Sequence, residues 1–196
     1  MTATSQEASL DGRRRRGEDN RARIVAAMLD IIRGGQVAPV AEEVAARADV
    51  GLRTVFRHFQ DMESLYREMS VVIEAELVAV AERPFRSVAW RDRLIELVER
   101  RTMAFEKIAP FRQASDVFRH RSSFLRADHA RFVAILREIL LRELPDDLAR
   151  DCERVEILDL LLSYEGWSRL RHEQGLSPKL AREALQAGLR RMSEAL

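Results

Sequence analysis

The chain predicts an all-α fold: an N-terminal three-helix domain joined through a long helix to a C-terminal helical bundle. Three observations carry that reading. Apolar residues recur at three- and four-residue intervals from about residue 20 onwards, without strand-like alternation. Strong breakers, Gly34-Gly35, Pro84, Pro145 and Gly175-Leu176-Ser177-Pro178, cut the pattern into helix-sized lengths. With 46% hydrophobic and 33% charged residues in 196, the chain has enough apolar surface to bury a core.

Residues 1–19 have almost no apolar content and carry Arg13, Arg14, Arg15 and Arg16 in a row. They read as a disordered basic arm, either a solvated tail or a segment that follows DNA phosphates or a narrow minor groove. Ile24, Ala27, Met28, Ile31 and Ile32 then form one face of a first helix, which Gly34-Gly35 ends. Ala41, Val44, Ala45 and Ala48 give a second helix a narrow face of small side chains, over which a third can cross closely. Asp49-Val50-Gly51 supplies the turn. Two short helices joined by a glycine-containing turn have helix-turn-helix spacing, in which the second helix enters the major groove.

That second helix has the composition for the task. No Asp or Glu occurs between Val50 and Gln60. At roughly 100° per residue, Leu52, Val55, Phe56 and Phe59 fall on a packing face, and Arg53, Thr54, Arg57 and His58 on the opposite, DNA-facing arc. Arg53 is the best placed for bidentate contact with guanine O6 and N7.

The order Arg21-x-x-Ile24, Gly34-Gly35, Val44-Ala45-x-x-Ala48-x-Val50, Thr54-x-Phe56-x-His58-Phe59 and Glu63 followed by Leu65-Tyr66 resembles the tetracycline-repressor (TetR) family of bacterial transcription regulators. In motif terms the resemblance covers about the first third of the chain. It implies a DNA-binding domain over 20–66, with Arg14, Arg15, Arg16, Arg21, Leu52, Arg53, Thr54, Phe56, Arg57 and His58 as DNA contacts. Leu52 has two readings, because the wheel places it with the core and the resemblance places it at an early reading position against a thymine methyl. The chain departs from the family pattern at Asp49 (usually Gly), Gly51 (usually a Ser or Thr cap), Phe56 (usually Tyr) and Met62 (usually Lys). These changes remove cap and phosphate contacts and shift phosphate anchoring onto arginine.

The rest reads as helices: 62–83, stopped by Pro84; one from Ser87 or Val88 to Ala109-Pro110; then 110–121, 127–144, 146–174 and 178–195. In the last break, Gly175 stops one helix, and Ser177 and Pro178 take the N-cap and first positions of the next. Residues 67–196 form the ligand-binding and dimerisation domain. Apolar residues cover more of the circumference of 146–174 than one core face needs, so this helix is either the buried centre of a monomeric bundle or part of a dimer interface. The resemblance implies the latter, a homodimer paired through the last two helices, with Leu158, Leu161, Leu162, Leu185 and Leu189 as contacts. Six of the eight phenylalanines lie between Phe85 and Phe132. They read as core or, as the resemblance implies, as walls of an effector cavity for a small apolar or aromatic molecule. That cavity would be lined by Met103, Phe105, Phe111, Phe118, Phe124 and Phe132, with Arg112 and His129 as polar anchors.

A single cysteine, Cys152, excludes a disulfide framework and a multi-cysteine zinc site. No phosphate loop, nucleophile elbow or His-Glu-x-x-His motif occurs, and Asp116 with His120 reads as a surface pair, so neither catalysis, a metal nor a cofactor is expected. No run approaches a membrane span, and no secretory signal is apparent, which gives a soluble, cytoplasmic expectation. Net charge is +1, and residues 1–68 hold eleven Arg against eleven acidic residues. Attraction to DNA must therefore come from placement rather than bulk charge. The expected function is a homodimeric, ligand-responsive regulator, a repressor, on a palindromic double-stranded DNA operator. The alternative is a helical dimeric sensing or protein-interaction module without sequence-specific DNA binding.

Overall fold

The computed structural model describes the backbone of residues 3–194 and the side chains of residues 15–193. Every regular element among them is helical: α1 (Ala3–Arg33), α2 (Ala41–Arg47), α3 (Leu52–His58), α4 (Met62–Ala81), α5 (Trp90–Arg119), α6 (Ser123–Glu143), α7 (Asp146–Ala149), α8 (Cys152–Leu161), α9 (Tyr164–Ser168) and α10 (Pro178–Glu194). A π-helical segment, Arg169–Glu173, follows α9. No described helix is long and apolar enough to cross a membrane. The chain divides into two compact units, one of Met1–Ile73 with Pro110–Leu125 and the other of Glu74–Ala109 with Arg126–Leu196. Helices α4, α5 and α6 each run from one unit into the other.

In the first unit, α1 begins at Ala3, well before the start near residue 20 that polarity suggested for it. Polarity argues against burial but not against helix, and Glu, Gln, Leu and Arg are good helix formers. Ile24, Met28, Leu29 and Ile32 bury one stripe of α1, against which α2 and α3 pack. The stop is made at Gly35, whose φ of +97° only glycine adopts without strain and whose N–H bonds to Ile32 O at 2.9 Å. Seven-residue helices such as α2 and α3 do not persist alone in water, so tertiary pins matter. Arg23 donates to Ala48 O at 2.6 Å, at the C-terminus of α2. Arg21 donates to His58 O at 3.0 Å, at the end of α3, and to Glu68 Oε1 at 2.6 Å, while lying over the Phe59 ring. Between the two helices Asp49 takes φ of +53°, the left-handed conformation that Asp tolerates better than most residues.

In the second unit the expected single helix over 146–174 is broken. Asp151 caps α8 by accepting from Arg154 N at 3.1 Å, and Ser163 caps α9 by accepting from Gly166 N at 2.9 Å. A Cβ at Gly166 would lie 2.8 Å from Leu160 O, so the α8–α9 corner requires glycine. Conversely, the break expected at Pro110 is absent, because α5 runs continuously through it. Proline fits helical φ and sacrifices one backbone hydrogen bond, which a 30-residue helix packed on both sides of that point survives. Arg101 is the central pin: buried, it donates to Leu162 O at 2.9 Å and to Leu136 O, tying α5 to α6 and to the end of α8. Ser177 and Pro178 open α10 as their chemistry predicts, with Leu180 N bonded to Ser177 Oγ at 3.3 Å.

Candidate nucleic-acid interface

Helix α3 is anchored by Val55 and by Phe59 at its C-cap, both 2% exposed. The sequence wheel added Leu52 and Phe56 to this packing face, and the structure corrects that: Leu52 is 36% and Phe56 51% exposed. Arg53 and Arg57 are exposed, whereas Thr54 and His58 are half-buried. The open arc therefore runs through Leu52, Phe56, Arg53 and Arg57, rotated away from the Arg53, Thr54, Arg57 and His58 arc that polarity alone suggested. The physical reason lies in the neighbours, because α1 and α2 meet α3 on the side shared by Val55, Phe59 and His58. His58 Cε1 lies 3.9 Å from where a Cβ of Gly17 on α1 would stand. Burial, then the charges of Arg57 and Arg21, hold the His58 imidazole below its ordinary pKa, and among the described residues its buried Nε2 has no hydrogen-bond partner.

Neither Arg53 nor Arg57 has an ion-pair partner among the described residues, and no acidic side chain interrupts residues 51–60. By contrast, both terminal nitrogens of Arg21 are engaged inside the unit, so Arg21 serves as a brace for α3 and α4. Arg15 and Arg16 are exposed on α1. The side chains of Arg13 and Arg14 lie outside the described residues. No protein-family model matches the chain, and no curated protein matches it.

The residues expected around an effector cavity divide between the two units. Phe111 and Phe118 on α5 face Tyr66 of α4 in the first unit, with ring centroids 6.4 Å and 5.6 Å from it. Phe124 lies under the Arg67 guanidinium at 3.9 Å, and Arg112 is buried in the same unit. Burial pushes the Tyr66 hydroxyl up to about 12, and no described group accepts or donates a hydrogen bond to it. In the second unit Phe105 packs edge-on against Tyr164 at 5.6 Å and Phe132 at 6.4 Å. His129 is half-buried, and Met103 is exposed on α5 rather than enclosed.

Four of the five residues expected at a dimer interface, Leu158, Leu162, Leu185 and Leu189, are interior to the protomer, and Leu161 is half-buried beside Gly188 of α10. The large apolar residues that α8 and α10 leave uncovered among the described residues are Ile157, Leu160 and Leu180, with Leu160 at 63% exposure. A helical wheel counts apolar stripes but does not say which one the protomer itself covers. Nearby charges are mostly satisfied: Arg137 binds Glu156 at 2.5 Å and Asp159 at 3.0 Å. Below α9, Glu106 accepts from the Trp167 indole at 2.9 Å and from Arg171 Nε at 2.9 Å. Burial opposes ionisation of Glu106, but the hydrogen bond and charge of Arg171, aided by Trp167, hold its pKa below the usual carboxylate range. Among the described residues no cluster of three metal-ligating side chains occurs.

Proposed function

We propose that the chain is a transcription regulator of the kind its sequence resembles: a homodimer that reads a palindromic DNA operator through α3 in a helix-turn-helix and responds, as a repressor, to a small apolar or aromatic effector. The observation that carries the reading is the open face of α3, where Arg53 and Arg57 stand exposed, without ion-pair partners among the described residues and with no acidic residue between 51 and 60. A polyanion satisfies such a face, and a helix of this width fits the major groove. Dimerisation is supported by the uncovered Ile157, Leu160 and Leu180, since two-fold pairing supplies the second half-site that one short helix cannot read alone. The aromatic groups around Tyr66 and Phe105 are the places where an effector would compete with core packing and shift the spacing of the two reading helices.

The test is quantitative binding of the full chain to duplexes selected from a random pool, measured across a salt series against unselected competitor. Selected duplexes should bind at least about 1,000-fold more tightly than competitor. Arg53→Ala should lose about 1–3 kcal/mol at one base position while leaving the helical spectrum unchanged. Equal affinity for selected and unselected DNA would overturn the proposal, and an Arg53→Ala protein that discriminates like the parent would remove the assignment of that residue.

A further inference from the structure

The exposed arc of α3 is unusual in being half apolar. Leu52 and Phe56 lie one turn apart and open to solvent, and Arg53 and Arg57, also one turn apart, form the adjoining stripe. At roughly 100° per residue the two stripes are separated by about a quarter turn of the helix, so they address neighbouring features of one surface. Nothing in the fold requires the apolar stripe, because Val55 and Phe59 already anchor the helix. An aromatic ring more than half exposed beside two cations is poorly matched to water. It is well matched to the major-groove edge of DNA, where thymine C5-methyl groups are the apolar features and guanine O6 and N7 the bidentate acceptors. A phenylalanine also has no hydroxyl with which to hold a phosphate, which leaves base-edge contact as the use of this ring.

We propose that α3 recognises a thymine methyl next to a guanine: Leu52 and Phe56 pack on the methyl, and Arg53 or Arg57 pairs with the adjacent guanine. The assignment rests on the DNA-reading function proposed above and goes further, in that it names the sequence feature and the atom that is read. Duplex DNA is the occupant because the flanking charge is wholly positive between residues 51 and 60.

The test uses the full-length protein and two random duplex pools, one containing thymine and the other uracil in its place, which differ only by the C5-methyl group. The thymine pool should yield a two-fold motif with a fixed thymine beside a guanine in each half-site, and the uracil pool should lose preference at that thymine position. On the best selected duplex, replacing that thymine with uracil should weaken binding about three- to tenfold per half-site. Phe56→Ala should lose most of this discrimination and Phe56→Ala combined with Leu52→Ala all of it, whereas Phe56→Leu, which restores an apolar side chain, should discriminate again. Both substitutions fall on an exposed residue, and helical content measured beside the binding assay confirms folding. A motif recovered equally from both pools would overturn methyl recognition while leaving DNA reading intact. No motif from either pool would overturn the DNA-reading function itself, and with it this assignment.

Discussion

Among the surfaces that leave large apolar side chains in water, those of α3 and of α8 with α10 are set apart by the charges beside them. On α3, Leu52 and Phe56 border arginines that have no ion-pair partner among the described residues. On α8, Ile157 and Leu160 adjoin Glu156 and Asp159, both of which are ion-paired with Arg137, and on α10 Leu180 is likewise exposed. Apolar exposure alone says that something is to be covered. The charge beside it says what: uncompensated cations suit a polyanion, and a charge-satisfied apolar face suits a second copy of the same face. The comparison extends inward, because arginine brings helix ends together in both units. In the first, Arg21 and Arg23 hold the carbonyl ends of α3 and α2 near the surface. In the second, Arg101 does so from a buried position, where loss of solvent lowers its pKa to about 10.

The largest expected effect breaks the pairing surface. Leu160→Asp places a charge where the isolated protomer tolerates it and a dimer does not. Sedimentation should change from dimer to monomer with helical content preserved, and operator affinity should fall on the order of 100-fold or more as the second half-site is lost. Leu162→Asp, two residues on but interior, should unfold the protomer instead. If both variants stay dimeric, the α8 face is not the interface.

Next in size is the contrast between a structural and an exposed arginine. Arg101→Met strands the carbonyls of Leu162 and Leu136 and should cost about 2–4 kcal/mol in denaturant unfolding. Arg53→Met should change stability by less than about 0.5 kcal/mol. Equal effects would erase the distinction drawn between them.

Acid should soften the two units in different windows. The folded pKa of His58 lies below its ordinary 6.5, so the unfolded chain binds the proton first. Stability from this group is full above that value and declines as pH falls through the lowered one. Glu96 is held at about 2, chiefly by the Arg100 hydrogen bond, against an opposing desolvation, with the Ser87 and Arg86 amides adding to it. Its contribution is full above about 4.5, declines progressively below that value and is gone once pH has fallen through about 2. Amide exchange across a pH series should show protection falling at α3 first and later in the 83–89 loop. His58→Gln should flatten the first change and Glu96→Gln the second; simultaneous loss would contradict the separation.

The smallest effect is a gain. Asp49→Gly removes a left-handed side-chain residue at the cost of a weak 3.4 Å contact to Arg23. Thermal unfolding should show stabilisation of up to about 1 kcal/mol, and a lower melting temperature would mean that the Arg23 contact outweighs the backbone strain.

What was legible in the sequence was local chemistry. Gly175, Ser177 and Pro178 mark the start of α10 because the turn, the cap and the first helical position each demand a residue type. Gly34-Gly35 marks the end of α1 for the same reason. The corner at Ser163 and Gly166 was hidden by continuous apolar residues on both sides, although a serine three positions before a glycine was the available signal. The helical wheel sets Leu52 and Phe56 on the packing side because it fixes angles between side chains, whereas burial depends on where α1 and α2 lie; the other reading of Leu52, at an exposed early position of α3, fits its exposure. The same limit put Leu158, Leu162, Leu185 and Leu189 at an interface when the protomer buries them itself.

The open face of α3 also bears on how its charge can be regulated. The chain holds only two lysines, Lys107 and Lys179, and both belong to the second unit. Acylation of side-chain amines, which erases the charge of lysine-based surfaces, has no target on α3. Covalent adjustment of this surface falls instead to the Thr54 hydroxyl, where phosphorylation would set a dianion between the two arginines, or to the guanidinium groups themselves.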